Sequence, residues 1–133
     1  MSIILGQRSL LRLEGVHPDL VRVVKKAAAM SAIDFTVLEG LRTLERQKQL
    51  MASGASSLKD PLKCRHLTGH AVDLAPMVGD EVRWDWPLYN KLAPIIKAAA
   101  TLENVPIEWG GDWRTFRDGP HWQLPWKQYP KGN

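Results

Sequence analysis

Between residues 18 and 31 the apolar side chains Leu20, Val23, Val24, Ala27 and Met30 recur at the spacing of one helix face. His17-Pro18-Asp19 opens that helix, because proline's fixed φ suits the first turn and Asp19 meets the positive end of the dipole. DFTVLEG, residues 34–40, reads as a short strand closed by Gly40. Thr43 then caps a second helix, and LERQKQLMASG carries it to a stop at Gly54. Residues 55–65, with their Ser, Lys, Asp and Pro, read as a surface loop.

HAVDLAP, residues 70–76, is the next predicted strand, and alternation sets His70, Val72 and Leu74 on one face against Ala71 and Asp73 on the other. Residues 78–82 suggest a turn into a hairpin partner that ends at Trp84. A long helix over residues 86–104 carries Leu88, Leu92, Ile95, Ile96 and Ala99, with Pro94 as a candidate kink. PIEWGGDW supplies another strand and a break at Gly110-Gly111, and HWQL (residues 121–124) a last short one. Residues 1–16 read as a lead-in segment packed on the body. Helices first, then strands mixed with a helix, predict one α+β domain over residues 1–133, a small antiparallel sheet packed against helices.

A chain of 133 residues can bury one core but not two. Its single cysteine, Cys64, excludes an internal disulfide framework, so the fold needs no oxidising compartment. No stretch reaches the length of a membrane span, and the N-terminus lacks the basic lead-in and small-residue cleavage site of a secretory signal. The chain is therefore expected to be made in the cytoplasm, without stable membrane insertion, and it is taken to act as a monomer. The net charge of +4 suits an anionic partner. The basic residues are scattered and no nucleic-acid-binding motif accompanies them, so nucleic acid is not expected.

The candidate chemistry lies in CRHLTGHAVDL and RDGPHWQL. His66, Asp73 and His121 make a mixed N/N/O ligand set, and three protein ligands would leave Zn²⁺ a fourth position for water. Seven residues apart, His66 and Asp73 cannot meet on one helix in the HExxH manner, where histidines are four apart, but they can converge if Gly69 permits a tight reversal into the strand. His121 must then lie on a neighbouring strand. Asp73, between Val72 and Leu74, would be costly if buried without a partner, and a cation would offset that cost. His70 competes as a ligand but falls on the face opposite Asp73; His17, at a helix start, reads as a surface or capping residue. Cys64 is the other competitor: with the trio it would make a closed, structural site. Asp118, three residues before His121, stands where a general base is expected.

HLTGHAVD followed by WGGDW and DGPHW, together with HPDLVRV, EGLRTLERQ and WDWPLY, resembles the zinc D-alanyl-D-alanine carboxypeptidase and L-alanyl-D-glutamate peptidase family, in its single-domain phage endolysin form. The likeness spans nearly the whole chain. It implies His66, Asp73 and His121 as Zn²⁺ ligands, Asp118 as the catalytic acid/base and Arg42 as the cation directed at the substrate carbonyl. One position departs from the family: two before the first histidine, where serine is usual, stands Cys64.

The implied substrate is the peptidoglycan stem peptide, cut between L-alanine and D-glutamate. The alternatives are removal of terminal D-alanine and a non-catalytic, zinc-stabilised wall-binding module. Trp109, Trp122, His70 and Asp112 are candidate substrate contacts, and Trp113 is a further tryptophan that could line a cleft, with core packing or ligand orientation as their other reading. The resemblance further implies an enzyme held in the host cytoplasm that reaches the wall with help from a separate membrane-permeabilising protein.

Overall fold

The computed structural model describes residues 2–54 and 64–130. Most of the loop predicted at residues 55–65 lies outside the described residues. The elements are α1 (Gln7–Arg12), α2 (Pro18–Met30), β1 (Phe35–Glu39), α3 (Leu44–Ala52), β2 (Ala71–Val78), β3 (Glu81–Val82), α4 (Trp86–Leu102), β4 (Glu108–Trp109) and β5 (His121–Gln123). Strands pair antiparallel in the order β1-β2-β5-β4, with β3 on the far end of β2. The fold is α+β, as the pattern of apolar residues predicts.

The core forms where the apolar faces meet. Helix α2 buries Leu20, Val23, Val24 and Ala27 and packs against α4, which contributes Leu92, Ile96 and Ala99. Val37, Val72, Leu74, Trp122 and Leu124 close the cluster from the sheet side. Each fully buried Val or Leu contributes roughly 1.5–3 kcal/mol. His17 caps α2, its Nδ1 accepting from the Asp19 amide at 3.1 Å, and Thr43 caps α3, its hydroxyl accepting from the Arg46 amide at 3.1 Å. Helix α4 continues through Pro94.

The first sixteen residues hold more structure than a lead-in. Helix α1 packs on β1 through polar contacts: Ser9 Oγ accepts from the Val37 amide at 3.0 Å, and Arg12 Nη1 donates to the Val37 carbonyl at 2.9 Å. These bonds occupy the outer edge of β1, which would otherwise expose unpaired backbone groups. Six residues held by polar bonds leave no apolar periodicity to read.

A 3₁₀ turn, Arg65–Thr68, precedes β2 and ends at Gly69 in the left-handed region, φ +75°. A Cβ there would also collide with the Gly15 carbonyl oxygen. Both requirements exclude other residues, and the reversal delivers the chain into β2 so that Asp73 faces His121 of β5. Gly69→Ala is therefore expected to destabilise the protein by about 2 kcal/mol or more in urea unfolding, since strain and clash add. A change below about 0.5 kcal/mol would show that the turn tolerates a side chain.

Candidate metal centre

Three side chains converge at one end of the β2–β5 pair. Among the described residues, His66, Asp73 and His121 form a group whose ligand atoms all lie within 4.8 Å of one another. Asp73 Oδ1 is 3.3 Å from His66 Nε2 and 3.4 Å from His121 Nδ1. Each imidazole is oriented through its other nitrogen. His66 Nδ1 bonds the Gly40 carbonyl at 2.8 Å, and His121 Nε2 bonds Gln123 Oε1 at 2.8 Å. Gln123 is held in turn by Glu108, its Nε2 donating to Oε2 at 3.2 Å. Such bonds fix ring orientation and tautomer, and aim the remaining nitrogen at the centre.

The donor set fits a cation. His66 Nε2 and Asp73 Oδ1 are buried without a hydrogen-bond partner among the described residues. Leaving such groups unsatisfied costs about 1–3 kcal/mol each, more for a charged one, and a shared divalent ion satisfies both. Burial on its own would raise the Asp73 carboxyl, but the His121 and His66 rings beside it more than offset this and hold it well below the usual carboxylate range. Asp73 is thus an anion flanked by two nitrogen donors.

The trio opens onto a cleft of about 930 Å³ that also contains Arg42, Cys64 and Asp118. Asp118 is placed by its backbone: its amide donates to the Gly110 carbonyl at 3.1 Å, and its carbonyl accepts from the His121 amide at 3.2 Å. Gly110 has no room for a Cβ beside the Asp118 carbonyl, and Gly119 lies against the Tyr89 ring. Burial, then the neighbouring Asp73 carboxylate, raise the Asp118 carboxyl. It is near the trio without belonging to it, a position suited to proton transfer. Burial and the Asp118 charge also push the Tyr89 phenol up to about 12.

Arg42 follows from the β1–β2 register. Glu39 pairs with Asp73 across the sheet, and Arg42 forms an ion pair with Glu39. Its Nη1 donates to Gln47 Oε1 at 2.7 Å, and its Nη2 lies 3.8 Å from Asp73 Oδ2. Cys64 is buried, and its sulfur accepts from Arg42 Nη1 at 3.4 Å. Burial raises its thiol above the ordinary value. Among the described residues Cys64 is not part of the group that could hold a metal ion; its sulfur contacts Arg42.

The four candidate substrate contacts do not line the cleft. Trp109 and Trp122, paired across β4 and β5, stack at 5.6 Å in the core. His70 is buried behind the sheet, its Nδ1 2.6 Å from Thr68 Oγ1 and its ring 5.4 Å from that of His17. Asp112 pairs with Lys97 at 2.7 Å on the exterior. The cleft wall is built instead by Trp113, Phe116, Arg117, Gln123 and Trp126. Gln123 was legible in principle, since two residues after His121 in a strand it shares that residue's face. Trp113 was legible as well, from its place beside the metal motifs, whereas the other loop residues carried no comparable signal.

Comparison with known proteins agrees with this geometry. Residues 1–123 match the family model described as phage L-alanyl-D-glutamate peptidase. The chain belongs to that family. It is 34% identical over 119 residues to the L-alanyl-D-glutamate peptidase of Escherichia phage T5, covering 89% of this chain and 87% of that protein. It is 35% identical over 112 residues to the L-alanyl-D-glutamate peptidase of Listeria phage A118, covering 78% of this chain and 38% of that longer protein. The fold is also that of the Serratia marcescens L-Ala D-Glu endopeptidase ChiX crystal structure. There the TM-score is 0.86 and the identity 45%, over 93% of this chain and 91% of that one.

The orienting bonds of this family member make a separable expectation. Gln123→Leu should weaken Zn²⁺ affinity about 10- to 100-fold in competition titration against a chromophoric chelator, because His121 loses its orienting partner. Asp118→Asn should leave affinity within about threefold, because Asp118 is not a ligand. Unchanged affinity in Gln123→Leu would refute the orienting role.

Proposed function

We propose that this protein is a zinc-dependent L-alanyl-D-glutamate endopeptidase that cuts peptidoglycan stem peptides, and that it acts as an endolysin in phage-mediated lysis. The observation that carries the reading is the convergence of His66, Asp73 and His121, two of their ligand atoms buried and unpartnered, on a cleft that also holds Asp118. Membership of the phage L-alanyl-D-glutamate peptidase family supplies the bond.

Zinc as the ion is supported by the donor set: two imidazoles and one carboxylate suit Zn²⁺ better than the harder Mg²⁺ or Ca²⁺. His66, Asp73 and His121 would hold the ion, and Zn²⁺ bound there would supply Lewis acidity for activating a water and polarising the scissile carbonyl.

The chain's own groups do the rest. Asp118 takes a proton from the attacking water as its oxygen bonds to the alanyl carbonyl carbon. When the carbon–nitrogen bond breaks, the same carboxyl returns that proton to the departing D-glutamyl amine. A raised carboxyl is better matched to this exchange than an ordinary surface aspartate. Arg42, oriented by Glu39 and Gln47, provides positive charge for the developing oxyanion. All these groups come from one chain, in keeping with a monomer. Among the described residues no helix is long and apolar enough to cross a membrane. We place the enzyme in the host cytoplasm, with access to the wall given by a separate permeabilising protein.

A digest of purified muropeptides tests the reaction. Mass analysis should show a disaccharide–L-alanine fragment and a stem peptide with a new D-glutamyl N-terminus. Chelation should stop the reaction and Zn²⁺ restore it. Release of D-alanine instead would assign the enzyme to the carboxypeptidase branch. Asp118→Ala should lower kcat by at least about 100-fold, the scale of lost acid–base catalysis, with zinc retained. Near-normal turnover in that variant would remove Asp118 from the role.

A further inference from the structure

The cleft contains more positive charge than the reaction just described uses. Arg42 is committed to Glu39, Gln47 and Cys64. Arg65 is committed to the C-terminal segment, donating to the Leu124 and Tyr129 carbonyls at 2.7 and 2.9 Å beneath the Trp126 ring. Arg117 differs from both. It is exposed, it lines the cleft, and among the described residues no carboxylate pairs with it.

Arg117 is nevertheless held in place. Its Nε donates to the Gly111 carbonyl at 3.0 Å, and its guanidinium carbon lies 4.1 Å from the centre of the Trp86 ring. Those contacts use one nitrogen and one face of the plane, leaving the two terminal nitrogens for a ligand. Arg46, the other exposed cation of the cleft, has no contact anchoring its side chain among the described residues. The preceding residue reinforces the contrast. Phe116 takes φ +52° and is 75% exposed, a conformation that is costly for a bulky side chain and that secures no burial. The loop holds this shape while presenting Trp113, Phe116 and Arg117 along one wall, immediately before Asp118.

Resting on the endopeptidase reading, we propose that Arg117 is a specificity-determining residue that binds the free α-carboxylate of the D-glutamate on the leaving side of the scissile bond. The chemistry of that residue supplies the argument. In the stem peptide D-glutamate continues the chain through its γ-carboxyl, so its α-carboxyl is either free or amidated. The α-carboxyl carbon lies about 2.5 Å from the scissile nitrogen, two bonds away. The group that protonates that nitrogen is therefore close to the carboxylate as well, and Arg117 is the sequence neighbour of Asp118. A planar guanidinium with two open donors matches a carboxylate, and it gains far less from a neutral carboxamide.

The test compares two synthetic substrates that differ only at this group, one with D-glutamate and the other with D-isoglutamine. Wild-type protein should favour the carboxylate in kcat/KM by about 10- to 100-fold, the range of a charge-assisted paired interaction. Arg117→Gln should lose that preference to within about threefold by losing activity on the carboxylate substrate alone, and Arg117→Lys should retain part of it. A merely structural role would lower both substrates together. Such a parallel loss, or a wild-type protein indifferent to amidation, would overturn the assignment. If the wild-type protein cuts neither substrate, the endopeptidase reading itself falls, and the role of Arg117 falls with it.

Discussion

An anionic carboxylate half-buried between two imidazoles is the constraint around which this molecule is organised. Asp73 sits in an otherwise apolar strand, with Val72 and Leu74 directed into the core. Among the described residues its Oδ1 lies against the two histidine nitrogens, at 3.3 and 3.4 Å. Hydrophobic packing alone would not keep such a group there, because an unsatisfied buried charge costs several kcal/mol. A divalent ion turns the same arrangement from a liability into a binding site. The β2–β5 register that sets Asp73 opposite His121 is thus as much a statement about metal chemistry as about strand pairing.

The surrounding structure serves that point in layers. Gly69 reverses the chain so that His66 can reach the end of the sheet, and the Gly40 carbonyl and Gln123 fix the two rings. Outside these lie Arg42 on Glu39 and Asp118 on Gly110, each held by contacts that leave its functional end towards the cleft. Beyond them Trp113, Phe116 and Arg117 form a wall of the cleft. The inner positions come from paired strands and 3₁₀ turns, and the outer wall from a loop. This is a common division between a scaffold that sets chemistry and loops that set specificity.

Much of this was legible in the residues. The boundaries of α2, β1, α3 and α4 fall within a residue or two of those read from apolar spacing and from Thr43, Gly54 and the proline positions, because those signals are local. Strand alternation correctly separated His70 from Asp73. Helix α1 was not legible, since Ser9 and Arg12 hold it to β1 by polar bonds that only the folded chain brings together. Nor were the roles of the tryptophans. Trp109, Trp113 and Trp122 all look like cleft aromatics beside the metal motifs, but β4–β5 pairing stacks Trp109 and Trp122 inside, whereas Trp113 lines the cleft together with Trp126. Which face an aromatic takes in a two- or three-residue strand depends on register, and register depends on contacts remote in sequence.

The most direct measurement is X-ray absorption at the zinc edge, made on the protein loaded with one equivalent of Zn²⁺. Binding by His66, Asp73 and His121 with one position left to water should give a shell of nitrogen and oxygen alone, at about 2.0–2.1 Å. A sulfur scatterer at about 2.3 Å would bring Cys64 into the shell and close the site, contradicting a catalytic centre.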